Sequence, residues 1–356
     1  MLTNRIAIFR LVSILCCLPL WDTQAQDQDT SFQPGQIWLD TSGGPIQAHG
    51  GGVLVDGGTY YWYGEDRTDP AQTVVSCYSS KDLHHWTHQG KVYSPNDLPQ
   101  ELRARCFIER PKVIYNRKTN RYVLWAHLEQ PGYHFSKALV ATSTSPTGPF
   151  RFERAFRPIS EDVGFKDDDP DQQKALGGTF RDMNLFVDDD EKAYVFYASE
   201  GNWTMYVVQL DDTYTAPQIP QEQGKTWARI LVGRLREAPA PFKYKGRYYL
   251  ITSGCTGWSP NAADWAVADN ILGPYESRGN PCHGPEAALT FRSQSTYVLP
   301  LPNMPGCFVF MADRWNPRRL QDSAYIWLPL LIHDDGTVAI VWHDNWDLSV
   351  FERLER

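Results

Sequence analysis

Five polar residues stand at comparable places ahead of aromatic, strand-like segments, and three of the five are carboxylic acids. They are His49, Glu109, Asp182, Glu237 and Gln294, each 11 to 14 residues before an aromatic residue of its segment. Glycosidic bonds are hydrolysed where one group donates a proton to the leaving oxygen and another activates water. If these side chains converge on one cavity, their types predict acid–base hydrolysis of that kind.

The segments that would position these residues repeat five times along the chain. The aromatic residues that mark the repeats are Tyr60, Tyr122, Tyr194, Tyr248 and Phe308, and they are 54 to 72 positions apart. A strand-like run precedes and follows each of them. Units of this length, each with three or four antiparallel strands, predict an all-β fold, a five-bladed β-propeller. The alternative is a β-sandwich with similar hairpins, which the regular period disfavours.

A propeller would bring the five polar residues to one place. The innermost strand of every blade lines the central axis, and its first residue points into a funnel at one face. Each of the five residues leads directly into an apolar run, so we expect each to begin an inner strand. Most of the aromatic surplus is then expected to pack between blades, which leaves only a few rings to face a ligand.

The composition agrees with many short strands joined by tight turns. The 356 residues include 13 Trp, 18 Tyr, 16 Phe, 26 Gly and 25 Pro, a mixture that excludes a coiled coil or a helical bundle. The formal net charge of −8 makes nucleic acid a poor partner, because phosphate contacts need a basic face. We expect a monomer that acts on a polysaccharide or oligosaccharide without a cofactor or metal ion.

Residues 1–25 have the pattern of a secretory signal peptide. Arg5 and Arg10 accompany a short apolar stretch that ends near Ala25, and this stretch is too short to span a bilayer comfortably. We therefore expect a secreted or periplasmic protein with no membrane span, whose single propeller domain covers residues 26–356. Five cysteines remain in that domain, and their spacing leaves the disulfide pattern open.

Seven short motifs surround the polar residues and the loops near them. They are Ala48-His49-Gly50-Gly51-Gly52, Glu109-Arg110-Pro111-Lys112, Arg181-Asp182-Met183, Glu237-Ala238-Pro239, Thr256-Gly257-Trp258-Ser259-Pro260-Asn261, Ser293-Gln294-Ser295 and Asp313-Arg314-Trp315-Asn316-Pro317. Together they resemble glycoside hydrolase family 43, and more narrowly its exo-β-1,3-galactanase branch, from about Gln36 to Trp346. The resemblance implies an inverting enzyme that releases galactose from β-1,3-galactan, as in the backbone of arabinogalactan.

The resemblance also implies roles for the polar residues. Glu237 matches the general acid of the family, and Asp182 matches the aspartate that adjusts the pKa of that acid and orients it. The physics is consistent, because a neighbouring carboxylate disfavours ionisation and keeps the acid protonated. Most of the family has an aspartate base on the first inner strand, where this sequence has no acid.

The group that activates water therefore stays open. In the galactanase branch a glutamine occupies the base position, and Gln294 matches it. A neutral amide is a feeble base, so it would act as its imidic acid or merely hold the water. Glu109 is expected to grip the sugar, and it is also the remaining acid that could activate water.

A second group of residues is expected to contact substrate. It comprises His49, Glu65, Tyr133, Glu200, Asn202, Trp258 and Trp315. The two tryptophans follow inner hairpins and would stack on sugar faces. His49 would either meet substrate or water, or pack as a satisfied buried histidine.

Two other functions are compatible with the same motifs. Changed pocket residues would make the enzyme an α-L-arabinofuranosidase or a β-xylosidase. The missing aspartate base also allows a sugar-binding propeller that has lost catalysis. A retaining, sucrose-cleaving propeller is excluded, because no Asn-Asp-Pro-Asn-like nucleophile segment occurs near the N-terminus of the domain.

Overall fold

A computed structural model describes residues 30–103, 105–159 and 178–354 of the protein. The expected signal peptide, residues 1–25, lies outside this part of the chain. No helix within the described ranges is long and apolar enough to cross a membrane. All five cysteines within these ranges, Cys77, Cys106, Cys255, Cys282 and Cys307, are free thiols.

Five antiparallel sheets follow one another along the chain, as the five repeats predicted. Blade I contains β1 (His49–Asp56), β2 (Thr59–Asp66), β3 (Val74–Ser80) and β4 (Thr87–Tyr93). Blade II contains β5 (Phe107–Asn116), β6 (Arg121–Glu129), β7 (Lys137–Ser143) and β8 (Arg151–Phe156). Blade III contains β9 (Arg181–Val187), β10 (Ala193–Ser199), β11 (Thr204–Gln209) and β12 (Trp227–Ile230).

The last two blades complete the set. Blade IV contains β13 (Arg236–Tyr244), β14 (Arg247–Gly254), β15 (Asp264–Ala268) and β16 (Glu276–Gly279). Blade V contains β18 (Gln294–Pro300), β19 (Phe308–Arg314), β20 (Ala324–Ile332) and β21 (Val338–Val341), and the short β17 (Cys282–His283) pairs in parallel with β21. A short helix, α1 (Ser349–Leu354), follows blade V.

The inner strands β1, β5, β9, β13 and β18 form a closed ring. Each contacts the next in chain order, and β18 contacts β1. The second strand of each blade carries the marker aromatic residue and is largely buried, because neighbouring blades cover both of its faces. The described part of the chain is therefore an all-β, five-bladed β-propeller, which confirms the predicted fold.

A bulge interrupts every inner strand close to the residue that the sequence analysis singled out. His49, Glu109 and Glu237 each precede the extra residue of their bulge. Asp182 is different, because it lies within the bulge of β9 with a left-handed φ of 43°. The bulge of β18 follows Ser295, one residue after Gln294. The five residues thus mark the start of the inner strands but do not share one register position.

Five apolar clusters of the described residues lie one at each junction between neighbouring blades. The junction of blades I and V, which closes the ring, is rich in tryptophan. Trp62 and Trp327 are almost fully buried there, with ring centroids 4.8 Å apart, and Trp86 lies 5.2 Å from Trp62. Phe32 stacks on Trp346 at 4.4 Å and pairs with its main chain, which ties the two ends of the domain together. Aromatic residues therefore pack between blades, as predicted.

We expect Trp327→Ala to destabilise the fold by about 3–5 kcal/mol, because it leaves a cavity in the junction that closes the ring. The free energy of unfolding in urea, followed by circular dichroism, measures the loss. Ile219, which is 76% exposed, is the control, and its replacement by alanine should change stability by less than about 0.5 kcal/mol. A loss below about 1 kcal/mol for Trp327→Ala would contradict this account of ring closure.

Candidate functional site

A cavity of about 210 Å³ opens at the face where the inner strands begin. Its lining residues are Glu65, Arg67, Glu109, Arg110, Tyr133, Asp182, Glu237, Gly257, Trp258, Gln294 and Trp315. Eight of these residues were singled out from the sequence, and blades I to V all contribute at least one side chain. The ring of inner strands therefore gathers residues that are far apart in the chain, as the propeller hypothesis required.

Glu237 is a buried acid in the wall of the cavity. Its Oε1 accepts from the Gln294 amide at 2.9 Å, and its Oε2 accepts from the Asn202 amide at 2.9 Å. Desolvation and, next in size, the negative charge of Asp182 raise the pKa of Glu237 to about 8, although the charge of Arg110 opposes both. Glu237 is consequently protonated at neutral pH and can donate a proton to a leaving group.

Asp182 reaches the cavity from the bulge of β9. Its Oδ1 lies 3.4 Å from Nε of Arg110, so its negative charge is partly balanced there. The left-handed backbone at Asp182 costs conformational energy that a regular strand would not require. This conformation places a second acid in the cavity with Glu237, one blade away.

The surroundings of Glu109 lower its pKa, whereas those of Glu237 raise its pKa. Its Oε1 accepts from Arg67 at 3.0 Å and from the Tyr133 hydroxyl at 2.9 Å, and its Oε2 lies 3.3 Å from Nδ1 of His127. Burial raises the pKa of Glu109, but the hydrogen bond from His127 and the charge of Arg67 outweigh burial and hold the pKa well below its usual range. Glu109 is therefore an ionised carboxylate at neutral pH.

His127 supports Glu109 from the neighbouring strand. The imidazole is fully buried between Glu109 and Glu129, whose Oε2 lies 3.1 Å from Nε2. Burial lowers the pKa of His127, but its two carboxylate partners raise it to about 9. The protonated ring thus stabilises the charge of Glu109 and holds its orientation.

Glu65 shares a guanidinium group with Glu109. Nε of Arg67 donates to Glu65 at 2.6 Å, and the main-chain N–H of Arg110 donates to its other oxygen at 2.8 Å. Burial raises the pKa of Glu65 despite Arg67. A side chain at Gly50 would place its Cβ only 2.4 Å from Oε1 of Glu65, so glycine is required at this point.

The Gln294 amide uses all of its hydrogen-bonding groups in this structure. Its oxygen accepts from the Arg110 guanidinium and from the Trp315 indole, the latter at 3.0 Å. Its nitrogen donates to Glu237 at 2.9 Å and to the Ser253 hydroxyl at 3.3 Å. Gln294 is thus attached to the acid in the structure rather than set across the cavity from it.

Two tryptophans form the aromatic part of the wall. Trp258 is 46% exposed, and its ring meets that of Trp315 edge-on at 5.5 Å. Trp315 is anchored by its bond to Gln294. Exposed aromatic rings beside acids are suited to sugars, whose C–H faces pack on them while hydroxyl groups find polar partners.

Three residues predicted to contact substrate do not line the cavity. His49 is fully buried, with Nδ1 3.3 Å from Asp313 and its ring stacked on Tyr325 at 5.0 Å. Glu200 accepts from the Tyr206 hydroxyl at 2.6 Å and from Arg229 at 2.7 Å.

Asn202 is the third of these residues. Its amide does not line the cavity but donates a hydrogen bond to Glu237, which does.

Sequence reasoning missed Arg67, Arg110, His127 and Ser253. Arg110 follows Glu109 directly, and its motif contained the signal. His127 is the cross-strand partner of Glu109, and Ser253 is that of Glu237, so hairpin register would have found both once the strands were aligned. Among the described residues, no group of three or more His, Cys, Asp or Glu side chains converges to hold a metal ion.

The chain has clear relatives of known structure. The family model described as glycosyl hydrolases family 43 matches residues 48–296. A family 43 β-1,3-galactosidase, solved with galactodeoxynojirimycin, is 41% identical with a TM-score of 0.79, covering 89% of this chain and 100% of that one. No curated protein matches the chain significantly.

Two exo-β-1,3-galactanases are also similar. The enzyme from Clostridium thermocellum is 37% identical with a TM-score of 0.78, over 89% of this chain and 66% of its own. The enzyme from Phanerochaete chrysosporium, solved with β-1,3-galactotriose, is 34% identical with a TM-score of 0.76, over 90% of this chain and 69% of its own.

We expect Asp182→Asn to lower the pKa of Glu237 from about 8 toward its ordinary value, because the substitution removes the negative charge beside it. The pKa should stay above the ordinary value, since desolvation is the larger cause and remains. A ¹³C NMR titration of the glutamate carboxyl carbons, assigned with Glu237→Gln, measures the change. Asp189→Asn, at an exposed hairpin, is the control. An unaltered pKa in Asp182→Asn would refute the assigned coupling.

Proposed function

Because the chain belongs to glycosyl hydrolase family 43 and is a glycoside hydrolase, we propose that it is an exo-acting, inverting β-1,3-galactanase. It releases galactose from the non-reducing end of β-1,3-galactan, as in the backbone of arabinogalactan. The observation that carries the proposal is the small cavity, whose walls combine a protonated glutamate, an ionised glutamate and two tryptophans.

Glu237 is the general acid of the proposed mechanism. Its raised pKa keeps the proton in place at neutral pH, and the proton passes to the glycosidic oxygen as the bond to the anomeric carbon breaks. Asp182 maintains that pKa by its charge. As Glu237 ionises, the Asn202 and Gln294 amides donate to the carboxylate that forms, which lowers the cost of losing the proton.

Glu109 is the better placed of the two groups that could activate water. A carboxylate offers about four acceptor positions, and the hydrogen bonds from Arg67 and Tyr133 fill two of those of Glu109, so a position remains for a water O–H. The Gln294 oxygen has two positions, and Arg110 and Trp315 fill both. The low pKa of Glu109 makes it a weak base, but water becomes acidic as it bonds to the anomeric carbon.

We also propose that the enzyme acts outside the cytoplasm. Residues 1–25 have the pattern of a secretory signal peptide, which would deliver the enzyme to a compartment outside the cytoplasm. Immunoblotting of periplasmic and medium fractions tests this part.

We expect the wild-type protein to release galactose from β-1,3-galactobiose, with the α-anomer appearing first in ¹H NMR because inversion changes the configuration. Glu237→Gln should lower kcat on this substrate about 10²- to 10⁴-fold. The same variant should lose less than about 10-fold on 2,4-dinitrophenyl β-galactoside, whose leaving group needs no proton.

Three outcomes would overturn the proposal. Hydrolysis of an aryl α-L-arabinofuranoside without hydrolysis of β-1,3-galactooligosaccharides would change the substrate. Initial formation of the β-anomer would mean retention. Equal, negligible hydrolysis by wild type and Glu237→Gln, with both binding the sugar, would favour a binding protein.

Azide distinguishes the two groups proposed to handle water. We expect Glu109→Ala to lose about 10²-fold or more in kcat on the dinitrophenyl galactoside, and Gln294→Ala to lose less than about 10-fold, because Gln294 supports the proton donor that this substrate does not need. Azide should restore only Glu109→Ala, because an anionic nucleophile needs no base and fits the space that the carboxylate leaves. The product should be the α-galactosyl azide, identified by NMR. Restoration of Gln294→Ala alone would assign the base to Gln294.

A further inference from the structure

The orientation of the Gln294 amide depends on a residue from the opposite side of the ring. Arg110 lies on β5 of blade II, and Gln294 begins β18 of blade V. One terminal nitrogen of the Arg110 guanidinium donates to Oε1 of Gln294, and the other donates to the main-chain oxygen of Ser295 at 2.9 Å. Arg110 is almost completely buried, so this bridge is shielded from water.

A second donor points at the same oxygen. Nε1 of Trp315 lies 3.0 Å from Oε1 of Gln294, and the Arg110 guanidinium lies over the Trp315 ring at 5.8 Å. An amide oxygen has two in-plane lone pairs, and both are taken by N–H groups. The amide therefore cannot rotate by 180° without setting its own N–H groups against those of Arg110 and Trp315.

The two donors at the Gln294 oxygen also favour the amide form of this side chain over the imidic-acid form. In the imidic-acid form the proton lies on the oxygen and occupies one of the two lone-pair positions. That proton would face an N–H donor, so one of the two hydrogen bonds would have to break inside a buried site. The nitrogen, meanwhile, would lose one of the hydrogens that it donates to Glu237 and Ser253.

We propose that Arg110 is a positioning residue that locks Gln294 as an amide, with its N–H₂ group directed at the proton donor Glu237. The inference rests on the proposed function, in which Glu237 is the general acid. Arg110 acts through Gln294, and its contribution is to keep one donor in place for the carboxylate that forms when the proton leaves.

Arg110 is well held for this role. Its Nε lies 3.4 Å from Asp182, and its main-chain N–H donates to Glu65 at 2.8 Å. The residue has a left-handed φ of 53°, which the bulge of β5 imposes. Lysine at this position would keep the charge, but one ammonium group cannot span Gln294, Ser295 and Asp182 together.

A double-mutant cycle on β-1,3-galactobiose tests the proposal. We expect Arg110→Lys and Gln294→Ala each to lower kcat by about 10²-fold with little change in KM, and the double variant to resemble Gln294→Ala alone. Arg247→Lys, at an exposed hairpin where Arg247 pairs with Asp269, is the control and should retain activity. Losses that multiply in the double variant, or a raised KM with normal kcat in Arg110→Lys, would overturn the proposal.

The pH profile supplies a second readout. The charged and titratable groups that face Glu237 are Asp182 on β9, Arg110 on β5, Cys255 after β14 and Arg236 on its own strand. Arg110 lowers the pKa of Glu237, so Arg110→Gln should move the alkaline limb of kcat/KM to higher pH. Arg110→Lys, which keeps the charge, should leave the limb in place. If the alkaline limb of kcat/KM stays in place in both variants, the charge of Arg110 does not lower the pKa of Glu237, which would contradict the proposal.

A measurement without substrate separates this inference from the proposed function. In ¹H–¹⁵N correlation spectra, the two hydrogens of the Gln294 side-chain amide are assigned by their loss in Gln294→Ala. In wild type they should give two separate signals and exchange slowly with water, and in Arg110→Lys they should exchange with water faster. If galactobiose is not hydrolysed but this difference appears, the proposed function fails and the positioning role stands. If hydrolysis is normal and the two spectra agree, the positioning role is wrong.

Discussion

The whole site depends on keeping several ionised side chains largely buried in the wall of one cavity. An isolated buried charge is costly, and it is tolerated only where partners surround it. Two guanidinium groups supply most of that compensation, since Arg67 bridges Glu65 and Glu109 while Arg110 contacts Asp182. The Arg67–Glu109 contact joins blades I and II, and the Arg110–Asp182 contact joins blades II and III, so these charges are balanced only when the three blades pack together.

The same balance of charges gives two of the three glutamates of the cavity, Glu109 and Glu237, different pKa values. Both are buried, and burial alone would raise the pKa of each. Glu109 meets Arg67 and His127, whereas Glu237 meets mainly neutral amides and feels the charge of Asp182. One glutamate is therefore held ionised and the other protonated at the same pH, a division of labour that glycoside hydrolysis requires.

The repeat of aromatic hairpins was visible in the sequence because second strands are buried on both faces and so read as continuous apolar runs. The polar residue ahead of each inner strand was visible for the opposite reason, since it breaks that apolar pattern. What the sequence could not show was the bulges, because one extra residue leaves no mark in the composition. Asp182 was therefore grouped with Glu109 and Glu237, although Arg181 holds the equivalent register position.

Contacts between blades were also beyond sequence reasoning, since they depend on how the ring closes rather than on local pattern. Residue type predicted that Trp258 and Trp315 face the cavity, but for His49 it allowed either a contact with substrate or a buried position, and the ring buries it. A histidine followed by three glycines fits either role until its neighbours are known. The Asp313 and Tyr325 side chains that enclose His49 come from blade V, over 260 residues away in the chain.

The bulges explain how one strand can serve both the cavity and the ring. Side chains of a regular strand alternate, so residues 109 and 112 would lie on opposite faces. The extra residue in β5 changes that alternation, and Glu109 faces the cavity while Lys112 donates to the Gly50 carbonyl of blade I at 2.7 Å. Asn184 takes the same position in β9 and donates to the main chains of blades IV and V. The bulges require a left-handed backbone at Arg110 and Asp182, which costs of order 1–3 kcal/mol at each residue. The hydrogen bonds that Lys112 and Asn184 form between blades offset this cost.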